Sequence, residues 1–352
     1  MKTINKPYII GETAFHHEGE EHFILELINH GMELGLNAMK FHVTLDLDDY
    51  MITEHEAIDI IRPWCFNANQ WDSILENVKN MDIILLCNDV KSIEYAIETK
   101  YKVRAIEIHA TGLNDIFLLE KASQFKGTII LGTGGSTLDE IDFAISFLKS
   151  KGKEDIFLMH GFQNYPTYFK DIKLERMNKL FHLFDLPVGY ADHTDPLDEN
   201  NEYISCLGIA QGYYVIEKHF THKFGDKRID AQAAVSLEQM RRIKNLSKIV
   251  YEVLGKEISL KMSEAELKYG NTGPMKKAIV AREYIEKGSL LTISDIAFKR
   301  TNESSSIKQN ELFKVLGNKA MTDIKKDGII DMRNVVFDFK PNDISQFKNT
   351  GK

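Results

Sequence analysis

The sequence predicts an α/β protein, a (β/α)₈ barrel followed by a small second unit, and three observations carry that prediction. Eight short β-branched or apolar runs alternate with longer amphipathic stretches over the first ~250 residues, the size that one barrel takes up. The Gly-rich dinucleotide fingerprint expected after the first strand of an open doubly wound sheet is missing, because the residues there read GETAFHHEG. The texture changes after Leu254, where polar, turn-rich sequence replaces the alternation.

The runs, in order, are Tyr8–Ile10, Ala38–Val43, Ile83–Leu86, Ala105–Ile108, Thr128–Leu131, Ile156–Met159, Pro187–Tyr190 and Tyr214–Ile216. Strands in this order must be parallel, because each pair is separated by enough chain for a crossover helix. The stretches Glu21–Leu34, Leu138–Leu148 and Glu238–Leu254 carry apolar residues at helical spacing, such as Phe23, Ile24, Leu27 and Ile28 in the first. The catalytic barrel is therefore expected over 1–258. A linker is expected over 259–274, ending in Tyr-Gly-Asn-Thr-Gly-Pro, and a small domain over 275–340.

Composition removes whole classes of function. Of 352 residues, 43% are hydrophobic and 27% charged, with 7 prolines and 22 glycines, which is globular. Lys plus Arg is 44 against 52 for Asp plus Glu, a net charge of −8. Nucleic acid is not an expected partner, since polyanion binding needs a clustered excess of base. Cys65, Cys87 and Cys206 are an odd number and form no CxxC pair, which argues for reduced thiols in a cytoplasm. No signal-peptide core and no membrane-length apolar run is present, so no membrane is expected.

In such a barrel, function sits at the C-terminal ends of the strands. Glu12 ends the first strand, with His16 and His17 beyond it. Lys40 and His42 lie on the second, His193 follows the seventh, and Glu217 and His219 end the eighth. His193 and His219 stand on neighbouring strands, where two imidazoles with oxygen ligands suit Mn²⁺, Mg²⁺ or Zn²⁺; capping hydrogen bonds are the alternative. Lys40 inside an apolar strand is costly unless paired. It is read as a Schiff-base nucleophile, as an anion binder, or as a partner of Glu12 or Glu217. Gly132 to Ser136 follows the fifth strand and offers backbone N–H groups to a phosphate. Phe162 to Pro166 is a sugar contact or an ordinary turn.

These motifs, in this order, resemble the sialic acid synthase family. Ile10-Gly11-Glu12 with His17 and Gly19 is similar to that family's opening, Ala38-Met39-Lys40-Phe41 to its AVKFQ, and Leu131–Gly135 to its LSTGM. Tyr165-Pro166, Gly189–Thr194 (GYADHT) and Val215–Thr221 (VIEKHFT) resemble its later signatures, and VLGNKAMTDIKKDGII resembles its C-terminal antifreeze-like (SAF) domain. The resemblance implies a C–C bond-forming transferase that condenses phosphoenolpyruvate with an N-acetylmannosamine-type aldose and releases phosphate. By position, His193 and His219 would hold the divalent metal, Mn²⁺ first, which polarises the aldehyde. Glu12 and Glu217 would orient or protonate sugar oxygens, and Lys40 would bind the enolpyruvate. His42, Thr111, Thr133, Tyr165 and Asp230 would contact substrate. Arg300 matches the SAF arginine that reaches a neighbouring subunit's site, which implies a domain-swapped homodimer.

The sequence departs from the family on the phosphate side. Glu107 stands where the family's phosphate-binding Lys is expected, Ala110 and Gly132 replace hydroxyl residues, and Gly161-Phe162 replaces Cys-Thr. A Lys-to-Glu exchange turns attraction into repulsion, a swing of several kcal/mol at an effective dielectric of ~20. Three readings follow: a divergent nonulosonate synthase still using phosphoenolpyruvate, a metal-dependent aldolase with another donor, and a non-catalytic sugar-binding relative.

Overall fold

The computed structural model describes residues 1, 3–162, 164, 167–255 and 260–336. The chain divides into two compact units, Met1–Glu257 and Ile258–Lys352.

The first unit is a closed eight-stranded parallel barrel. Its strands are β1 (Tyr8–Glu12), β2 (Ala38–Val43), β3 (Asp82–Cys87), β4 (Val103–Ile108), β5 (Thr128–Gly132), β6 (Ile156–His160), β7 (Val188–Asp192) and β8 (Val215–Thr221). They pair in sequence order, and β1 closes on β8 with Glu12 opposite His219. The main crossover helices are α1 (Glu21–Leu34), α2 (Ala68–Leu75), α3 (Val90–Glu98), α4 (Ile116–Ala122), α5 (Leu138–Ser150), α6 (Glu175–Phe184), α7 (Asn201–Ala210) and α8 (Leu237–Leu254). Several start where local chemistry dictates. Asn67 with Gln70, Thr137 with Glu140, and Ser236 with Gln239 form capping boxes at α2, α5 and α8, which satisfy N–H groups that the first turn leaves without a partner.

Alternation along each strand sorts the side chains into two cores. One parity packs Ile9, Met39, Phe41, Leu85, Ile106 and Ile129 against the helices. The other parity points into the barrel, where Ile10, Ala38, Ile84, Ala105, Ile130 and Val215 form an apolar floor. Glu12, Lys40, Glu107 and Glu217 are the next inward positions, so they stand directly above that floor.

β7 and β8 run further than their apolar runs, ending at Asp192 and Thr221. The outward parity explains why. Asp192 and Lys218 leave the barrel on its helix side and form a fully buried ion pair of 2.8 Å. Ser205 of α7 and Thr194 also donate to the Asp192 carboxylate. Burial works against that carboxylate, but Lys218 and these donors hold it down at about 2.

In the second unit, Ser263 caps a helix over Glu264–Gly270, inside the span expected to be a linker. An antiparallel pair, Ala278–Ala281 with Ile296–Lys299, then backs a separate apolar core that includes Ile279, Leu291, Ile307, Val315 and Ile330.

Candidate active site

A cavity of about 280 Å³ opens at the C-terminal ends of the barrel strands. Its floor is ionic. The Lys40 ammonium lies 2.5 Å from Glu12, 2.7 Å from Glu217 and 2.9 Å from Glu107, and all four side chains are at most 5% exposed. Register in the closed barrel builds this cluster: Glu12 is the direct cross-strand partner of Lys40, while β4 and β8 deliver Glu107 and Glu217 at the same depth. Burial alone would strip the lysine of its proton, but the fields of Glu107 and Glu217 outweigh it and hold the ammonium above its ordinary range. Of the three readings of Lys40, the partner of Glu12 and Glu217 is the one the ion pairs display. Burial pushes the Glu217 carboxyl up despite Lys40, and Glu217 Oε2 is buried with no hydrogen-bond partner among the described residues.

Above the floor, imidazoles form the wall. His42 Nε2 donates to the Glu12 carboxylate at 2.9 Å, and His193 and His219 face each other with ring centroids 5.1 Å apart. Burial keeps these rings neutral: His193 falls to about 4, and His42 and His219 fall well below the ordinary value. Neutral imidazoles are the form that binds a divalent ion, and His219 Nδ1 is buried without a hydrogen-bond partner among the described residues. The donor set fits a cation in part. Among the described residues no group of three or more His, Cys, Asp or Glu side chains is set for one, so two imidazoles would hold it and water or substrate oxygens would complete its shell.

Of the residues nominated from sequence, Glu12, Lys40, His42, Thr111, His193, Glu217 and His219 line this cavity. Thr133 does not: its hydroxyl donates to the Met159 carbonyl at 3.0 Å and ties β5 to β6. Asp230 is half-buried in a left-handed conformation at φ 59, and burial raises its carboxyl against a backbone hydrogen bond from Phe15; it is not a lining residue. Arg300 belongs to the second unit, where its Nε donates to the Pro274 carbonyl at 2.7 Å. Tyr165 lies outside the described residues. His16 and His17 are buried against Phe23 and Phe66 as stacked pairs and have no place in the cavity wall.

Sequence reasoning missed Glu107 as a partner of Lys40, and it missed His109. The signal was period two: residues 105, 107 and 109 share the inward face, as 38, 40 and 42 do. Asp192, next to His193 in sequence, is sent by alternation to the opposite side of the barrel wall, where it pairs with Lys218.

Comparison with known proteins gives the family. The family model described as the NeuB family matches residues 33–259. An uncharacterised protein of Methanocaldococcus jannaschii is 28% identical over 326 residues, covering 92% of this chain and 93% of its own. The N,N'-diacetyllegionaminic acid synthase of Campylobacter jejuni is 25% identical over 344 residues, 93% of this chain and 99% of that protein. Among solved structures, one named as a spore coat polysaccharide biosynthesis protein E of Chromobacterium violaceum superposes with a TM-score of 0.81 at 22% identity, covering 94% of this chain and 100% of that one. At that identity the likeness speaks for the fold.

Proposed function

The chain belongs to the NeuB family, and from that membership we propose that it is a nonulosonate synthase, joining phosphoenolpyruvate to an N-acetylmannosamine-type aldose with release of phosphate. The observation that carries this reading is the cavity floor, where the Lys40 ammonium is ringed by Glu12, Glu107 and Glu217 beneath the paired imidazoles of His193 and His219. Such a floor orients polyhydroxylated and carbonyl groups through charge-assisted hydrogen bonds. Its relatives include an N,N'-diacetyllegionaminic acid synthase.

In this reading His193 and His219 hold the divalent ion, Mn²⁺ first. That ion supplies Lewis-acid polarisation of the open-chain aldehyde. Glu217 lies next to the imidazole pair, where its carboxylate orients the sugar's hydroxyl groups. Glu12 fixes His42 and Lys40, and Lys40 presents positive charge to the carboxylate of the enolpyruvate. The second unit, read as an SAF domain, places Arg300 of the partner subunit against the sugar's acyl group in a homodimer. The enzyme works as a soluble, cytoplasmic protein; among the described residues no helix is long and apolar enough to cross a membrane.

The test is phosphate release from phosphoenolpyruvate with Mn²⁺ and a panel of 2-acetamido aldoses, with the keto acid confirmed by mass. Sugar-dependent release supports the synthase, and no release with any sugar rejects phosphoenolpyruvate as donor. A second result concerns the ion. His193→Ala removes one of only two imidazole ligands, so Mn²⁺ affinity measured by calorimetry or electron paramagnetic resonance is expected to fall at least ~10- to 100-fold. Undiminished affinity would remove the metal assignment.

A further inference from the structure

Phosphate needs a cation, and the catalytic cavity has one that is already taken. Among the described residues Lys40 is the only lysine or arginine lining it, and three carboxylates within 2.9 Å outnumber it. A phosphate dianion seated beside Lys40 would meet Glu107 at close range, with like charges in a poorly solvated site.

Free cations lie next door. A second cavity of about 390 Å³ shares Gly134, Gly135, Gly161 and Phe162 with the first, so the two adjoin across one wall. Much of that wall is bare backbone: a Cβ on Gly134 would sit 2.0 Å from the Gly161 carbonyl oxygen, and Gly135 has φ 73. The far side carries Lys173 and Arg176, with Asp171 as its one carboxylate. Neither cation pairs with a carboxylate within 4.0 Å among the described residues, unlike Lys40. Arg176 is anchored by Nη2 donating to the Ser136 carbonyl at 2.8 Å, which uses one of five guanidinium N–H donors. It sits in the first turn of α6, where the helix macrodipole disfavours positive charge, so helix stability does not account for it. Lys173 is held at φ 49, a left-handed conformation uncommon for lysine.

We propose that this second cavity is the protein's phosphate subsite, in which Lys173 and Arg176 receive a phosphomonoester dianion. The proposal rests on the synthase reading and deepens it by moving phosphate recognition away from β4, where Glu107 stands. The phosphomonoester is the donor's own phosphate or one at the far end of a phosphorylated aldose.

The double variant Lys173→Gln/Arg176→Gln decides it, with unchanged far-ultraviolet circular dichroism and thermal midpoint as the folding control. Inorganic phosphate titrated calorimetrically into the whole protein is expected to bind roughly 10- to 100-fold more weakly to the variant than to the natural chain. A matching rise in KM for phosphoenolpyruvate identifies the donor as the source. A rise confined to the KM of a 6-phosphorylated aldose identifies the acceptor. Equal phosphate affinity with both KM values unchanged overturns the subsite. If the natural chain makes no keto acid from phosphoenolpyruvate, the synthase reading falls, and the phosphate titration still decides the subsite.

Discussion

Lys40→Met is expected to lose a large share of the protein's stability, because it leaves Glu12, Glu107 and Glu217 facing one another in a buried floor with no positive charge. These carboxylates are 1%, 4% and 5% exposed, so water does not screen them. Removing one partner of a buried ion pair costs about 3–5 kcal/mol, a large share of the roughly 5–15 kcal/mol that holds a domain folded. Here one cation serves three anions, which puts the loss at the upper end of that range. Equilibrium unfolding in urea at pH 7 measures it as a drop in the midpoint at constant slope. Adding Glu107→Gln to Lys40→Met is expected to restore part of the loss, since it removes one of the repelling charges, and the size of the rescue reports their coupling. A Lys40→Met protein with an unchanged midpoint would mean that the ionic floor is not a structural unit.

Mild acid is expected to destabilise the protein strongly before most carboxylates titrate. Burial, and secondarily neighbouring positive charge, lowers His16 to about 4 and His17 to about 3, so the folded state keeps both neutral. In the unfolded chain an imidazole takes up its proton near pH 6.5. The unfolded state therefore binds more protons below that value, and the stability these residues contribute is complete above pH 6.5 and lost as pH falls through it towards 4 and 3. The slope is about 1.4 kcal/mol per pH unit for each imidazole, so the pair costs roughly 4 kcal/mol between pH 6.5 and 5. His109, lowered to about 4 mainly by burial, adds to the same slope. Urea midpoints measured every half unit from pH 7.5 to 5 read this directly. A flat profile across that window would mean that these rings are solvated and charged in the folded protein. The replacement His17→Asn is expected to flatten the slope, since its short polar side chain keeps an acceptor for the Gly19 N–H that His17 Nδ1 accepts at 3.1 Å.

Both results depend on residues that differ in how far they could be read from the sequence. Glu21–Leu34 is a helix because its apolar spacing is helical, and that spacing is local. Eight strand-like runs with crossover-length spacers specify a parallel barrel, and the barrel rule then places Glu12, Lys40, His193, Glu217 and His219 at one mouth. Strands β7 and β8 were read short, since charged residues interrupt their apolar runs; Asp192 and Lys218 satisfy each other across the strand pair, which no local pattern displays. Thr133 was misread for a related reason: a hydroxyl at a strand end looks like a phosphate ligand until its acceptor on the next strand is known.

By itself, then, the sequence determined the barrel and the family whose motifs it shares. Those properties depend on periodicity and on residue order, both of which are written along the chain. Only the tertiary structure decided that Glu107 belongs to Lys40, that Asp192 turns its back on His193, and that Lys173 and Arg176 adjoin the catalytic cavity across a glycine wall. Each of these joins residues from separate strands or loops, and closure of the barrel sets their register through backbone pairing that the identity of any single side chain does not reveal.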